Sequence, residues 1–216
     1  MDLLIFDLDG TLIDSKLDLA HAVNAARGYM GIQPIEHDTV YSWVGDGAPV
    51  LMRRALGPEA SDTQVQRALE YFLAYYREHM LDYTTLYPGV REALDRLREA
   101  GVKLAVLTNK PVRFSQAIID GLGVGGHFQR VYGGNSFEQK KPHPVGVEAL
   151  LTECGVARER ALMVGDSAVD IRTARNAKIL ACGVTYGFQP ETLADEPPDL
   201  LVDHPGELVE WVLARR

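Results

Sequence analysis

Two aspartates with a single residue between them, Asp7 and Asp9, directly follow the apolar run Leu3-Leu4-Ile5-Phe6 and precede Gly10-Thr11. Such a run reads as a strand buried on both faces, the kind found in parallel sheets. Carboxylates at the end of that strand repel and raise each other's pKa. A cation between them relieves the repulsion, as does a division of labour in which one is ionised and the other carries a proton. For an isolated Asp-x-Asp the competing reading is an Asp/Gly turn closing a polar strand end.

Other polar residues follow the same pattern. Thr108 and Asn109 come straight after Lys103-Leu104-Ala105-Val106-Leu107, and Asp166 and Asp170 come after Ala161-Leu162-Met163-Val164. Lys141 sits in Lys140-Lys141-Pro142-His143-Pro144, at the start of a helical pattern. Together they offer carboxylates for a hard dication, a hydroxyl and an amide for anionic oxygens, and a lysine for charge. Singly, each has a structural reading. Thr108 and Asn109 can cap the helix near Pro111. Asp166 and Asp170 can be an N-cap and a first-turn acid complementing the helix dipole. Lys141 can be a solvated lysine, and His143, with no second histidine nearby, reads as structural.

The elements that must position these residues alternate strand and helix with short connections. That order predicts an α/β fold, a Rossmann-like parallel sheet covered on both faces. Right-handed crossovers bring the polar strand ends to one edge, where ligands of such sheets bind. The alternation is interrupted once. From Lys16 to Tyr83 there are helical patterns only: one through Leu17, Ala20, His21, Val23 and Asn24, one from Val40 to Leu56 broken by Gly45-Asp46-Gly47, and one from Val65 to Met80. The expected organisation is a catalytic core of residues 1–15 and 84–216 with an all-helical insert at 16–83. The Gly/Pro/acid-rich stretch from Gly183 to Pro198 reads as a surface loop.

The net charge of −8 over 216 residues argues against nucleic acid as a general partner. It leaves room for a small anionic substrate, since a few local cations or a metal dominate a single site. Cys154 and Cys182 lie in apolar surroundings and read as buried free thiols. With no basic n-region and no apolar run long enough for a bilayer, neither a signal peptide nor a membrane partner is expected, and the cytoplasm is the natural compartment.

On these residues the sequence resembles the haloacid dehalogenase superfamily, in particular its phosphatases. Asp7-Leu8-Asp9-Gly10-Thr11 matches the first motif, Thr108-Asn109 the second, Lys141-Pro142 the third, and Gly165-Asp166-Ser167-Ala168-Val169-Asp170 the fourth. The helical insert lies where C1-type members carry their cap. The resemblance implies a phosphomonoester hydrolase for a small-molecule phosphate ester. Asp7 would be the nucleophile and Asp9 the general acid and then base. Mg2+ would be held by the Asp7 side chain, the Asp9 carbonyl and Asp166, with Asp170 in support. Thr108, Asn109, Lys141 and Gly10 would hold the phosphoryl group.

Trp43-Val44-Gly45-Asp46-Gly47 and Lys140-Lys141-Pro142-His143-Pro144 look most like the superfamily's phosphoglycolate phosphatases, which implies 2-phosphoglycolate as substrate. Arg53 or Arg54 would then pair with its carboxylate, or both are solvated helix arginines. A phosphosugar mutase or pyrophosphatase would keep the same constellation. Dehalogenases lack the second aspartate, and phosphonatases use a cap lysine, whereas the insert holds only Lys16, too close to the first motif. A receiver-like phospho-accepting domain shares the acids, Thr and Lys, but lacks the insert. Monomer and homodimer both remain open: Tyr71, Phe72, Tyr75 and Tyr76 read by default as cap core, with a dimer face as the alternative.

Overall fold

A computed structural model of the chain describes residues 1–215. The first strand, β1 (Leu3–Phe6), is wholly buried and leads into a short β2 (Ile13–Asp14). Four helices follow: α1 (Lys16–Tyr29), α2 (His37–Tyr41), α3 (Ala48–Leu56) and α4 (Asp62–His79). After β3 (Thr85–Leu86), which pairs with β2, the chain alternates through α5 (Val90–Glu99), β4 (Lys103–Leu107), α6 (Val112–Gly121), β5 (Arg130–Tyr132), α7 (Val145–Cys154), β6 (Ala161–Gly165) and α8 (Ala168–Ala177). It ends with β7 (Leu180–Val184), β8 (Leu200–Val202) and α9 (Pro205–Leu213).

Six strands form one parallel sheet in the order β5-β4-β1-β6-β7-β8. β1 lies between β4 and β6, with Leu3 level with Lys103 on one side and Ala161 on the other. Successive strands add outward from β1 in one direction and from β6 in the other. The order therefore reverses beside β1, and a crevice opens at the carboxyl ends there. Leu3 and Ile5 of β1, Ala105 of β4 and Met163 of β6 share a buried cluster with Val147, Leu150 and Leu151 of α7 and Ile171 and Ala174 of α8. At about 25 cal/mol per Å2 of apolar surface removed from water, this packing is what fixes the strand ends.

The chain divides into two compact units, Met1–Asp14 with Leu86–Arg216, and Ser15–Thr85. Within the second, α1 and α3 both pack on α4. Ser61 caps α4 reciprocally with Gln64, and Phe72 and Tyr76 are buried in its core. Tyr71 instead stacks on Tyr29 and Tyr75 on His79, so the aromatic helix is only half core. The buried Asp18 carboxylate accepts hydrogen bonds from the Tyr83 and Thr84 amides and the Thr84 hydroxyl, closing the end of this unit. Among the described residues no helix is long and apolar enough to cross a membrane.

Candidate active site

Asp7 continues β1, and its amide still donates to the Val164 carbonyl of β6. One carboxylate oxygen, Oδ1, accepts from the Leu8 amide at 2.7 Å and from Lys141 Nζ at 2.8 Å. The other, Oδ2, accepts no hydrogen bond from the described residues. Burial, opposed by Lys141 and reinforced by Asp170, pushes the Asp7 pKa up to about 6. Asp7 is thus a fixed carboxylate with one open oxygen.

Lys141 comes from the loop before α7 and is 6% exposed. Its ammonium also bonds Asp170 Oδ1 at 2.7 Å. Burial works against that charge, but Asp170 and Asp7 outweigh it and hold the ammonium above the ordinary lysine pKa. Asp170, fully buried on α8, uses its Oδ2 to accept from the Ser167 amide and hydroxyl at the helix N-terminus. Both its oxygens are therefore engaged, and it anchors Lys141 from behind.

Asp166 follows β6. Its Oδ2 accepts from the Phe188 and Gln189 amides at 2.7 and 3.3 Å, and its Oδ1 from the Thr11 hydroxyl at 3.4 Å. Burial first, then Asp170 and Asp7, push its pKa up to about 8 against the pull of those amides. Gly10 has φ +82°, and a Cβ there would lie 2.3 Å from Asp166 Oδ2. Only glycine lets the turn after Asp9 pass so close to this carboxylate.

Asp9 points elsewhere. Both its oxygens accept from Lys110 Nζ, at 2.9 and 3.0 Å. Thr108, Asn109 and Lys110 form the loop after β4, beside β1 in the sheet. Thr108 Oγ1 accepts from the Lys110 amide, and Asn109 Nδ2 donates to the Lys141 carbonyl, tying two of the polar loops together. The structure thus brings Asp7, Asp9, Gly10, Thr108, Asn109, Lys141, Asp166 and Asp170 to one sheet edge. Arg53 lies in the helical unit, where it bonds the Ala60 carbonyl and Asp62, and Arg54 bonds the Trp43 carbonyl and Asp46.

Sequence reading missed Lys110, which stood unremarked in Thr108-Asn109-Lys110-Pro111. It also misread the stretch after β7. Part of that connection is not a free surface loop: Tyr186 donates its hydroxyl to the Thr11 carbonyl, and Phe188 and Gln189 bind Asp166. A Cβ at Gly187 would meet Asp166 Cβ at 2.2 Å and the Gly10 carbonyl at 2.5 Å. A glycine-rich composition signals exposure and close backbone approach alike, and here the second won.

Asp7, Asp166 and Asp170 offer oxygens that all lie within 4.8 Å of one another. Counting Asp9, Lys110 and Lys141, the cluster formally carries two more negative than positive charges. A hard dication with oxygen ligands matches both donor type and deficit. Of the three, Asp7 and Asp170 already share a cation, Lys141, whereas Asp166 accepts only neutral donors.

A buried acid on a central parallel strand, opposite lysine and hydroxyl groups from the neighbouring strand ends, defines a class of phosphate-handling hydrolases. The chain belongs to the haloacid dehalogenase-like hydrolase family, whose model matches residues 4–184. It is a phosphatase of that family. It is 40% identical to a phosphoglycolate phosphatase from Pseudomonas fluorescens, over 98% of this chain and 79% of the relative. A phosphoglycolate phosphatase from Colwellia psychrerythraea is 41% identical over 87% of this chain and 85% of its own length. The fold is similar to that of a predicted phosphoglycolate phosphatase from Haemophilus somnus, with a TM-score of 0.92 at 33% identity, covering 98% and 97% of the two chains.

Proposed function

We propose that this phosphatase is magnesium-dependent and acts on 2-phosphoglycolate through a phosphorylated Asp7, in the cytoplasm. The observation that carries the reading is the open Oδ2 of a carboxylate whose other oxygen is fixed by Leu8 and Lys141. Asp7 Oδ2 attacks phosphorus, the phosphorus–ester oxygen bond breaks, and Asp9 delivers a proton to the departing alkoxide. Asp9, now a base, takes a proton from water as it attacks the Asp7 phosphoryl group, which leaves as inorganic phosphate and restores Asp7. Asp7 and Asp166 would hold magnesium, with the Asp9 carbonyl, and the ion when bound would supply charge neutralisation between two anionic reactants. Asp170 supports the site through Lys141.

Lys141 has a remaining N–H for a phosphoryl oxygen, and Thr108 and Asn109, on the loop tied to it through the Asn109 amide and the Lys141 carbonyl, are the further donors. Residues 15–85 are the helical insert that the family resemblance makes a cap. Arg53 would take a substrate carboxylate only by giving up its contact with the exposed Asp62, a weak surface pair. The substrate reading rests on the names of the relatives together with these features.

The test is a panel of phosphorylated metabolites assayed with magnesium. 2-Phosphoglycolate should give a kcat/KM at least about tenfold above sugar phosphates, nucleoside monophosphates and pyrophosphate. A sugar phosphate in the lead, or an isomerised phosphosugar as product, overturns the substrate assignment.

A further inference from the structure

We propose that Lys110 is the positioning residue for Asp9: it holds the carboxylate that protonates the leaving group in a fixed orientation, separate from the Asp7–Asp166 cluster. The proposal rests on Asp9 being the general acid. Lys110 Nζ contacts both Asp9 oxygens, at 2.9 and 3.0 Å, where a single contact would leave the carboxylate free to turn about its Cβ–Cγ bond. The two side chains are 5% and 13% exposed, so water does little to loosen them. A lysine is an effective clamp only if its own backbone is fixed, and that of Lys110 is held at both ends. Its amide donates to Thr108 Oγ1 at 3.2 Å, and its carbonyl accepts from the Gly134 amide at 2.9 Å.

The arrangement also sorts two acids that stand two residues apart. Lys141 claims Asp7 and Lys110 claims Asp9. A proton donor needs heavy-atom distances of about 2.6–3.2 Å to its target, so a carboxylate turned away from the ester oxygen is useless however acidic it is. Lys110 acts through Asp9 and does not take part in bond making.

The experiment compares wild type, Lys110→Met and Lys110→Arg as full chains with magnesium, measuring release of the leaving group in the first turnover with enzyme in excess. 2-Phosphoglycolate releases an alkoxide that needs a proton, whereas para-nitrophenyl phosphate releases a stable phenolate that does not. Lys110→Met should slow the first turnover of 2-phosphoglycolate about 100-fold and that of para-nitrophenyl phosphate less than about threefold, and Lys110→Arg should recover roughly tenfold of the loss. On an Asp9→Asn background, Lys110→Met should add almost nothing, because the group it orients is gone.

Equal losses on both esters, or full additivity with Asp9→Asn, overturn the proposal. A raised KM for 2-phosphoglycolate with an unchanged saturating rate also overturns it, since Lys110 would then bind substrate. If wild type cleaves para-nitrophenyl phosphate but not 2-phosphoglycolate, the substrate reading fails alone, and an alkyl phosphate it does accept, such as glycerol 2-phosphate, decides on Lys110. No turnover of any ester overturns both.

Discussion

The two halves of the site start from one strand end and are built in opposite ways. Asp7 is buried, gives one oxygen to Lys141, and shares that lysine with the fully buried Asp170. Asp9 is only half-buried and gives both oxygens to a different lysine, Lys110. An attacking group needs an open oxygen, and a group that moves protons needs a fixed plane and access to its partner. What separates the two jobs is therefore not the acids, which are chemically identical, but the loops that supply their lysines. Lys110 lies on the loop leaving β4, and Lys141 on the loop entering α7.

The largest effect expected from breaking this contrast comes from Asp7→Asn. It removes the proposed nucleophile, so kcat should fall by about 10^4-fold or more for every ester, and no phosphorylated protein should be trapped by rapid quench. Residual turnover within tenfold of wild type would sink the nucleophile assignment.

Lys141→Met comes next, and its distinguishing readout is stability. It leaves Asp7 and Asp170 buried without their cation, which typically costs about 3–5 kcal/mol. For a chain of this size that lowers Tm by roughly 10 °C in calorimetry. Adding Asp170→Asn should restore part of the loss, because one of the two stranded charges is then removed. Lys110→Met strands a carboxylate nearer to water and should lower Tm by less than half as much. If the two lysine variants melt together, the proposed asymmetry between the halves is wrong.

Most of the contrast between strand ends could be read before the fold was known. Runs buried on both faces, such as Leu3–Phe6 and Ala161–Val164, declare parallel strands, and the rule for their carboxyl ends gathers Asp7, Asp166, Thr108 and Asn109. Pairings did not show. Lys110 reaches Asp9 across 101 residues of chain, and nothing local distinguishes a clamped lysine from a solvated one. The stretch around Gly187 was hidden for a related reason, since glycine marks both exposed turns and places where backbone presses on a carboxylate. In the helical unit, side chains of Arg53 and Arg54 find partners within the unit itself, a use that charge alone does not announce.

The Asp7–Asp166 half should also respond to pH. The folded-state pKa values of Asp7 and Asp166, about 6 and about 8, lie above the ordinary value of 3.8. The folded protein therefore binds more protons than the unfolded chain between about pH 4 and 8, and stability must fall as pH rises through that window. In metal-free protein Tm should drop by roughly 10 °C from pH 5 to 8.5, and magnesium should restore more of it at pH 8.5 than at pH 5. An Asp166→Asn variant should flatten the slope. A metal-free Tm that rises over this range would mean that the two acids are not buried as described.

The smallest expected effect belongs to Tyr186→Phe, and it separates the halves most cleanly. Tyr186 holds the Thr11 carbonyl at 3.2 Å, and Thr11 in turn donates to Asp166. Burial, with help from Cys182 and Asp166, keeps the phenol pKa high, so it acts only as a neutral donor. Its loss should cost about 1 kcal/mol, or roughly 2–4 °C in Tm. The turn it steadies carries Gly10 and Thr11 against Asp166, whereas the Lys110 clamp on Asp9 is anchored by Thr108 and Gly134 on other loops. Any change in kcat, expected to stay within about threefold, should thus be the same for 2-phosphoglycolate and para-nitrophenyl phosphate. A loss confined to the alkyl ester would show that Tyr186 reaches the proton-transfer half after all, and that the two halves are not held independently.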